Sequence, residues 1–390
     1  MPKFCLRMLT VVLAAACLLG WIAVPVKAAN IETSAESAIL MDAATGKILY
    51  EKNAHKELPP ASVTKLMTML LAAEAVEEGK VKLTDTVTAS ENASSLGGSQ
   101  IYLEPGEKFT LKELLISIAV GSANDACVAV AEHIFGTHEE FVDSMNRKAK
   151  ELGLKNTHFA NAYGLPAEGH YTSAYDLAIL GREALKYQLV SQLTSMKEYE
   201  LRNGDFKLWN TNKLLWWYEG TDGFKTGWTQ EAKYCLASTV KRDGLRLLCV
   251  VMGVPQVRGH FQESMKMYNY GFANYVYKEF APAGSKQGEV IVHKGKLQTV
   301  DLVSQEAVGL CVEKGKEKEC RIETRYFANP VSAPIAKGQQ LGEMIIYCGQ
   351  KEADSIKLVA GEAVGKAGLL EMFKRTVRQS YSMTPPIYAN

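Results

Sequence analysis

Three short polar motifs follow one another along the chain and carry residue types suited to acyl transfer. They are Ser62-Val63-Thr64-Lys65, Ser122-Ala123-Asn124 and Lys225-Thr226-Gly227. A serine hydroxyl is a weak nucleophile until a base removes its proton, and a lysine among apolar residues has its pKa lowered enough to act as that base. Because Ser62 and Lys65 lie three residues apart at the predicted start of a helix, their side chains face the same way. The first motif therefore predicts an acyl-enzyme on Ser62, with Lys65 as general base.

The other two motifs supply groups that can complete such a site. Ser122 and Asn124 fall in a predicted break between helices, where a hydroxyl and an amide can point into a cleft. We expect them to shuttle a proton and to position the substrate. Lys225, Thr226 and Gly227 precede an apolar run and predict an edge strand along which an extended peptide can lie. There the lysine offers a positive charge, the threonine a hydroxyl for a carboxylate, and the glycine an unobstructed backbone.

Taken singly, the first two motifs are weak signals. Ser238-Thr239-Val240-Lys241 repeats the first pattern, but it runs along a predicted strand, where Ser238 and Lys241 face opposite sides. Ser90-Glu91-Asn92 repeats the second pattern. Lys-Thr-Gly occurs once, and the three motifs in this order, each in a suitable local structure, form a specific signature.

The elements that must position these residues follow from the spacing of apolar side chains. A hairpin around Gly46 comes first, helices follow, and strands come last, an order typical of an antiparallel sheet covered by helices. The predicted strands span 37–43, 47–52, 221–229, 234–240 and 245–253, and the predicted helices span 62–79, 111–120, 126–134, 173–185 and 262–278.

A different pattern begins after Phe280. Short alternating segments at 289–293, 298–303, 308–312, 320–326 and 344–348 predict a small all-β domain. From Leu358 to Arg378, apolar residues recur at helical spacing and basic residues cluster towards the end. This predicts a basic amphipathic helix, which can lie in a lipid interface or pack on the β-domain or on a partner.

The first 28 residues have the composition of an export signal. Lys3 and Arg7 precede an apolar run from Met8 to Val26, and Ala28 offers a small residue for cleavage before Ala29. A retained membrane helix is the alternative, since a run of this length just spans a bilayer. The chain of 390 residues suits two domains, and its net charge of +1 gives no broad electrostatic case for binding nucleic acid.

Six cysteines follow this segment, in a compartment that permits disulfides if the protein is exported. Cys311 and Cys320 close a charged loop, which favours a disulfide between them across a hairpin. Cys235 and Cys249 lie on predicted strands joined by a two-residue turn, which puts them out of register and on opposite faces. We therefore expect that second pair to remain unbridged.

The motifs and their flanks resemble the low-molecular-mass penicillin-binding proteins, the serine-type D-alanyl-D-alanine carboxypeptidases. The resemblance covers roughly residues 35 to 275 and is carried by PPASVTKLMT (59–68), GSANDA (121–126), TDGFKTGWT (221–229), LGLKNTHF (152–159), GL (164–165) and HYTSA (170–174). It implies a mixed α/β transpeptidase domain over 29–279 with an antiparallel sheet flanked by helices. A small all-β domain over 280–352 and a membrane-associating helix over 356–380 complete the implied architecture, outside the cytoplasmic membrane and attached to its outer face.

The resemblance also implies the substrate and the roles of the site residues. Peptidoglycan stem peptides lose their terminal D-alanine, β-lactam antibiotics are covalent inhibitors, and no cofactor or metal is involved. Ser62 is acylated, Lys65 is its base and Ser122 helps to protonate the leaving group. Asn124 holds the substrate amide, Lys225 and Thr226 engage the terminal carboxylate, and the N–H groups of Ser62 and Trp228 form the oxyanion hole.

One position departs from the family pattern. Where some relatives have an arginine that helps to bind the carboxylate, this chain has His260, with Arg258 two residues earlier as a possible substitute. Affinity for the terminal carboxylate is therefore less secure than the acylation chemistry.

The sequence disfavours three alternative functions. A class A β-lactamase shares the motifs, and Glu151 heads a segment near its deacylation pattern, but Lys155 stands where that pattern has asparagine. A metallopeptidase is disfavoured because none of the seven histidines forms a His-Glu-x-x-His motif. A catalytically silent cell-wall binding protein is disfavoured by the complete set of nucleophile, base and Lys-Thr-Gly.

Overall fold

The computed structural model describes residues 31–382. The predicted export signal over residues 1–28 lies outside the described residues. From Ser34 onwards the chain forms one unit, in which a helix-covered sheet is followed by an all-β domain.

Strands from two distant parts of the chain form the sheet that carries the site. Its order is β2-β1-β9-β8-β7, and each neighbouring pair is antiparallel. This confirms the predicted sheet and leaves β7, which contains Lys225-Thr226-Gly227, at an edge. The strands up to residue 254 are β1 (Ser37–Asp42), β2 (Ile48–Lys52), β3 (Thr86–Thr88), β4 (Lys108–Thr110), β5 (Glu198–Leu201), β6 (Phe206–Trp209), β7 (Thr221–Thr229), β8 (Lys233–Arg242) and β9 (Leu245–Val254).

Helices cover both faces of this sheet, which explains why β1, β8 and β9 are almost continuously apolar and buried. One core cluster lies on each face. The α-helices up to residue 274 are α1 (Lys65–Glu77), α2 (Glu91–Ser94), α3 (Leu111–Ile116), α4 (Asn124–Phe135), α5 (His138–Glu151), α6 (Ala174–Ala184), α7 (Gln188–Thr194), α8 (Leu214–Trp217) and α9 (Gly259–Asn274).

The helix predicted to begin at Ser62 begins instead as a tighter turn. Residues Ala61–Thr64 form a 3₁₀ helix, and α1 continues from Lys65 to a stop before Gly79, which has a φ of +73°. Side chains three residues apart eclipse one another in a 3₁₀ helix. This junction therefore stacks Lys65 directly beside Ser62.

The predicted break around Ser122 is present and is built from an unusual turn. α3 ends at Ile116, residues Ser117–Gly121 form a π-helical turn, and Ser122 adopts a left-handed conformation with φ +62°. A capping box between Thr110 and Glu113 begins this segment. Asn124 lies on the first turn of α4 rather than in the break itself.

The last helix of this region is shorter than predicted. α9 ends at Asn274, and Tyr275–Ala281 forms a strand that pairs with Val308–Glu313. The prediction of helix through Lys278, with a domain boundary after residue 279, was wrong because Tyr275, Val276 and Tyr277 are aromatic or β-branched and suit a strand. The all-β domain therefore begins about five residues earlier.

The small all-β domain is confirmed, with more strands than predicted. A six-stranded sheet has the order β14-β16-β17-β12-β11-β15, and β10 pairs with β13 beside it. We call residues 275–360 the β-domain. Its strands are β10 (Tyr275–Ala281), β11 (Lys286–His293), β12 (Thr299–Ser304), β13 (Val308–Glu313), β14 (Cys320–Tyr326), β15 (Val331–Ser332), β16 (Gln340–Cys348) and β17 (Lys351–Ala360).

The predicted helix over 356–380 was wrong in its first half. Residues 351–360 form β17, which pairs along its length with β16 and buries Leu358 and Ala360 in the β-domain core. Ala363 and Ala367, within the predicted range, lie before the final helix, α10 (Leu369–Ser382). Leu358 thus belongs to a strand whose apolar residues also matched a helical repeat.

The predicted disulfide between Cys311 and Cys320 was wrong. Cys320 is bonded to Cys348, which faces it directly across the β14–β16 pair. Cys311 is a buried free thiol on β13 that packs into the core on the β-domain side of the first sheet. Cys235 and Cys249 are both free and lie in different core clusters, as predicted.

We expect loss of the Cys320–Cys348 disulfide to destabilise the β-domain. Closing a loop of 28 residues restricts the unfolded chain and contributes about 3.5 kcal/mol to the free energy of unfolding. Cys320→Ser and Cys348→Ser should therefore lower the denaturant midpoint equally, and the double variant should add little. Cys311→Ser is the matched control, because it should leave the disulfide intact. A Cys311–Cys320 peptide in a non-reduced digest would contradict the pairing.

Candidate active site

The amine of Lys65 lies at the centre of the site and contacts three oxygen atoms. Its Nζ is 2.8 Å from Ser62 Oγ, 2.7 Å from Asn124 Oδ1 and 2.6 Å from the carbonyl oxygen of Tyr163. The side chain is fully buried, and this burial lowers the pKa of Lys65 to about 8. About a tenth of the amine is therefore neutral near pH 7, far more than for an ordinary lysine.

The three contacts fix the direction of the amine lone pair. A second hydrogen bond, from Asn124 Nδ2 to the carbonyl of Gly97 at 2.7 Å, orients the amide so that Oδ1 faces Lys65. Asn124 Oδ1 and the Tyr163 carbonyl can only accept hydrogen bonds. A neutral amine has two N–H groups, which these two oxygens take up, so its lone pair is left facing Ser62. This arrangement can remove the hydroxyl proton and activate Ser62 as a nucleophile.

The second motif is tied to the first through Asn124. Ser122 and Asn124 are both buried, and the left-handed backbone at Ser122 makes the turn between them and the preceding helix. The adjacent Asp125 carboxylate accepts the N–H groups of Ile101 and Leu103 at 3.1–3.2 Å. These bonds hold the loop around residue 101 against the start of α4, so the loop and the motif form one rigid wall.

Lys225 is a second buried lysine, on the edge strand β7. Burial and the nearby positive charge of Lys65 lower the pKa of Lys225 well below its usual value. Its amine donates to the carbonyl of Thr226 at 3.2 Å. Within residues 31–382 no carboxylate forms an ion pair with it. Charging a buried amine without a partner is costly, so an incoming anion would favour the protonated form of Lys225.

The remaining residues of the third motif bring β7 close to the nucleophile. A Cβ atom on Gly227 would lie 2.9 Å from the backbone nitrogen of Ser62 and 3.0 Å from the Cβ of Ala61, so only glycine fits. The hydroxyl of Thr226 donates to that of Thr211 at 2.7 Å. Trp228 is largely exposed. The structure thus joins Ser62, Lys65 and Asn124 by hydrogen bonds, places Gly227 against Ser62 and buries Lys225 near Lys65.

Two contributors to the site were not predicted. Tyr163 acts through its carbonyl oxygen, which its residue type does not disclose. Thr211 lies in the short polar segment Asn210–Lys213, which matches no motif. Gly164, next to Tyr163, was a usable signal: its φ is +92°, and a Cβ there would lie 2.0 Å from the carbonyl oxygen of Ala61. A glycine in such a position marks a close backbone approach.

His260 does not provide a positive charge in place of an arginine. Its ring is buried, stacks on Tyr234 with centroids 5.2 Å apart and lies 3.9 Å from the ring of Phe261. Burial lowers the pKa of His260 to about 4, so the ring is neutral at physiological pH. Arg258 is exposed at the start of α9. Neither residue therefore provides a buried positive charge.

Two other sequence matches fall outside the site. Ser238 is buried and lies 2.9 Å from the hydroxyl of Tyr268, whereas Lys241 is exposed, as expected for opposite faces of a strand. Glu151 ends α5, is exposed and pairs with Lys148 at 3.0 Å. Its carboxylate is therefore occupied by an ion pair, which does not suit the deacylating base of a β-lactamase.

Family models match both parts of the chain. A model described as D-alanyl-D-alanine carboxypeptidase matches residues 24–256, and one described as Penicillin-binding protein 5, C-terminal domain, matches residues 275–366. The D-alanyl-D-alanine carboxypeptidase DacF of Bacillus subtilis (strain 168) is 44% identical over 346 residues, covering 88% of this chain and 89% of that protein.

Solved structures of penicillin-binding proteins also resemble this fold. Penicillin-binding protein 5 from Haemophilus influenzae has a TM-score of 0.72 at 33% identity, covering 86% of this chain and 99% of that one. Penicillin-Binding Protein D2 from Listeria monocytogenes, in an ampicillin-bound form, has a TM-score of 0.57 at 31% identity, covering 62% of this chain and 99% of that one. Both parts of the fold therefore have known counterparts.

We expect acylation of Ser62 to depend on pH through Lys65. Only the neutral amine has a lone pair for the serine proton, so the rate should rise about tenfold per pH unit below the pKa and level off above it. The second-order rate constant for labelling by a fluorescent penicillin should therefore have an apparent pKa of about 8. Circular dichroism over the same range controls for unfolding. A rate constant that is flat from about pH 6 to pH 9 would contradict Lys65 as the base.

Proposed function

The chain belongs to the D-alanyl-D-alanine carboxypeptidase family and is a serine peptidase, and we propose that it removes the terminal D-alanine of peptidoglycan stem peptides through an acyl-enzyme on Ser62. The observation that carries this proposal is the contact between Lys65 Nζ and Ser62 Oγ at 2.8 Å, with the other two hydrogen-bonding directions of the amine already occupied. That geometry suits removal of the serine proton.

The proposed reaction has two steps. Lys65 takes the proton of Ser62, and Oγ attacks the carbonyl carbon between the two D-alanines. The N–H groups of Ser62 and Trp228 receive the oxyanion. The bond to the terminal D-alanine then breaks, and its nitrogen leaves with a proton that Ser122 helps to deliver. Water hydrolyses the ester, which restores the serine hydroxyl and releases the shortened peptide.

Recognition of the substrate rests on the third motif. Lys225 is buried next to Lys65 without an acidic partner among the described residues, so a substrate carboxylate gains a charge-assisted contact when it binds. Thr226 offers a hydroxyl beside it, and Gly227 lets the peptide lie flat along β7. Asn124 holds the substrate amide from the opposite wall.

A β-lactam would use the same machinery. Its strained amide occupies the place of the D-alanine peptide bond, and its carboxylate meets Lys225 and Thr226. Penicillin-Binding Protein D2 is solved in an ampicillin-bound form, and the motifs described above suit the same acylation here. We therefore include covalent inhibition by β-lactams in the proposal.

The proposed location is the outer face of the cytoplasmic membrane. Residues 1–28 have the composition of an export signal. Between residues 31 and 382, no helix has both the length and the apolar composition needed to cross a bilayer. α10 instead leaves Leu369, Leu370 and Phe373 exposed, an arrangement that suits a helix lying in the lipid interface.

α10 is also held against the β-domain. The Arg375 guanidinium donates to the carbonyls of Gly295 and Lys296 at 2.7–2.8 Å and pairs with Glu371. The two interpretations of the sequence, packing on the β-domain and contact with lipid, are therefore compatible. Arg375 therefore attaches α10 to the β-domain, while Leu369 and Leu370 remain exposed to solvent.

Release of D-alanine tests the carboxypeptidase assignment. The purified protein should release D-alanine from a stem pentapeptide and be labelled covalently by a fluorescent penicillin, and Ser62→Ala should abolish both. Ser238→Ala, in the second Ser-x-x-Lys match, is the matched control and should be labelled like the wild type. Labelling without D-alanine release would contradict carboxypeptidase activity while leaving Ser62 as the acylated residue.

Sedimentation with lipid vesicles tests membrane attachment. Replacing Leu370 and Phe373 with serine should reduce the bound fraction severalfold, because both are largely exposed on α10. Phe327→Ser is the control, because Phe327 is similarly exposed but lies next to β14. Penicillin labelling should be unchanged in all three proteins. Equal binding of wild type and double variant would contradict the lipid-facing role.

A further inference from the structure

Ala61, which immediately precedes the nucleophile, has a strained backbone. Its φ is +47°, in the left-handed region that residues with a Cβ atom seldom adopt. Strain of this kind persists only where surrounding contacts enforce it, and it concentrates at functional sites. The contacts that hold Ala61 therefore bear on the position of Ser62.

A continuous chain of hydrogen bonds ends on the carbonyl of Ala61. The backbone N–H of Ala160 donates to Nδ1 of His170 at 3.0 Å, and Nε2 of His170 lies 2.9 Å from Oγ1 of Thr64. The Thr64 hydroxyl donates to the Ala61 carbonyl at 2.8 Å. His170 and Thr64 are both buried.

The direction of every bond in this chain follows from its first member. A backbone N–H can only donate, so Nδ1 of His170 accepts and the ring proton must lie on Nε2. Nε2–H then donates to Thr64, which leaves the threonine hydroxyl to donate to Ala61. Burial and the nearby His158 lower the pKa of His170 to about 4, so the neutral ring that this arrangement needs persists at physiological pH.

The strained residue also lies where the backbone of the nucleophile approaches the edge strand. The Gly227 position approaches the backbone nitrogen of Ser62 and the Cβ of Ala61, and Gly164 approaches the Ala61 carbonyl from the other side. A rotation of the peptide between Ala61 and Ser62 would therefore shift the Ser62 N–H relative to β7. It would also move Oγ relative to the amine of Lys65.

We propose that His170 and Thr64 are positioning residues that hold Ala61 in its left-handed conformation and thereby fix Ser62 for acylation. The proposal rests on the function proposed above. Neither residue touches the reacting atoms. Their effect is on the rate of the covalent step, because Lys225 and Thr226 bind the substrate carboxylate on a different element.

Thr64→Val and Thr68→Val provide a matched test. Both remove a buried hydroxyl from neighbouring turns around α1, but Thr68 donates to the carbonyl of Ala162 at 2.6 Å and does not contact Ala61. We expect Thr64→Val to lower the first-order acylation rate constant for a fluorescent penicillin by about tenfold or more. Thr68→Val and Thr64→Ser should stay within about threefold of the wild type. The dissociation constant of the initial complex should change little in all three.

His170 variants supply a second test that does not depend on folding of Thr64→Val. His170→Gln places an amide N–H near the position of Nε2 and should retain most of the rate, whereas His170→Asn cannot reach Thr64 and should slow acylation like Thr64→Val. The double variant Thr64→Val/His170→Asn should be no slower than either single variant, because the two residues act in series.

The outcomes separate this proposal from the function on which it rests. Thr64→Val acylating as fast as Thr68→Val, or His170→Asn as fast as His170→Gln, would overturn the positioning role. Absence of any labelling in the wild type would overturn the acyl-enzyme on Ser62 instead. Thermal midpoints of all variants show whether a slower rate reflects lost stability.

Discussion

The site depends on excluding water from the amine of Lys65 while still giving that amine hydrogen-bond partners. An isolated amine in an apolar interior is unfavourable, and a fully paired ammonium would be a poor base. The structure meets both conditions with three uncharged oxygens, from Ser62, Asn124 and the Tyr163 backbone. Asn124 lies about 60 positions from Lys65 in the sequence, and Tyr163 lies about 100 positions from it. Much of the helical layer over the sheet therefore serves to bring three distant parts of the chain to one nitrogen atom.

Motif residues and strongly patterned elements were predictable from the sequence. The sheet strands, the break before Asn124 and the position of β7 at an edge follow from apolar runs and from the residue types at their ends. The ends of helices and strands were harder to predict where the same residues matched both a helical and a strand spacing of apolar side chains. Tyr275 to Lys278 continued a helical spacing, and Leu358 matched a helical face, yet pairing with β13 and β16 decided both in favour of strands.

The features that escaped prediction are those fixed by distant backbone atoms. The carbonyl of Tyr163, the left-handed backbone of Ala61 and the partner of Cys320 are set by tertiary packing. Cys320 illustrates the limit. Its nearest cysteine in sequence is Cys311, but the register of β14 with β16 places Cys348 opposite it. The disulfide partner was therefore set by strand pairing, which the sequence did not predict, and not by proximity along the chain.

The edge position of β7 has a consequence for the range of substrates. An edge strand presents main-chain N–H and C=O groups that no neighbouring strand uses. A peptide that adds itself as the next strand is held by contacts common to every residue type. In the binding mode proposed above, side chains distant from the scissile bond contribute little to discrimination, and selection falls on the chain end at Lys225. A site of this kind would recognise the end of its peptide ligand and tolerate different side chains elsewhere along the peptide.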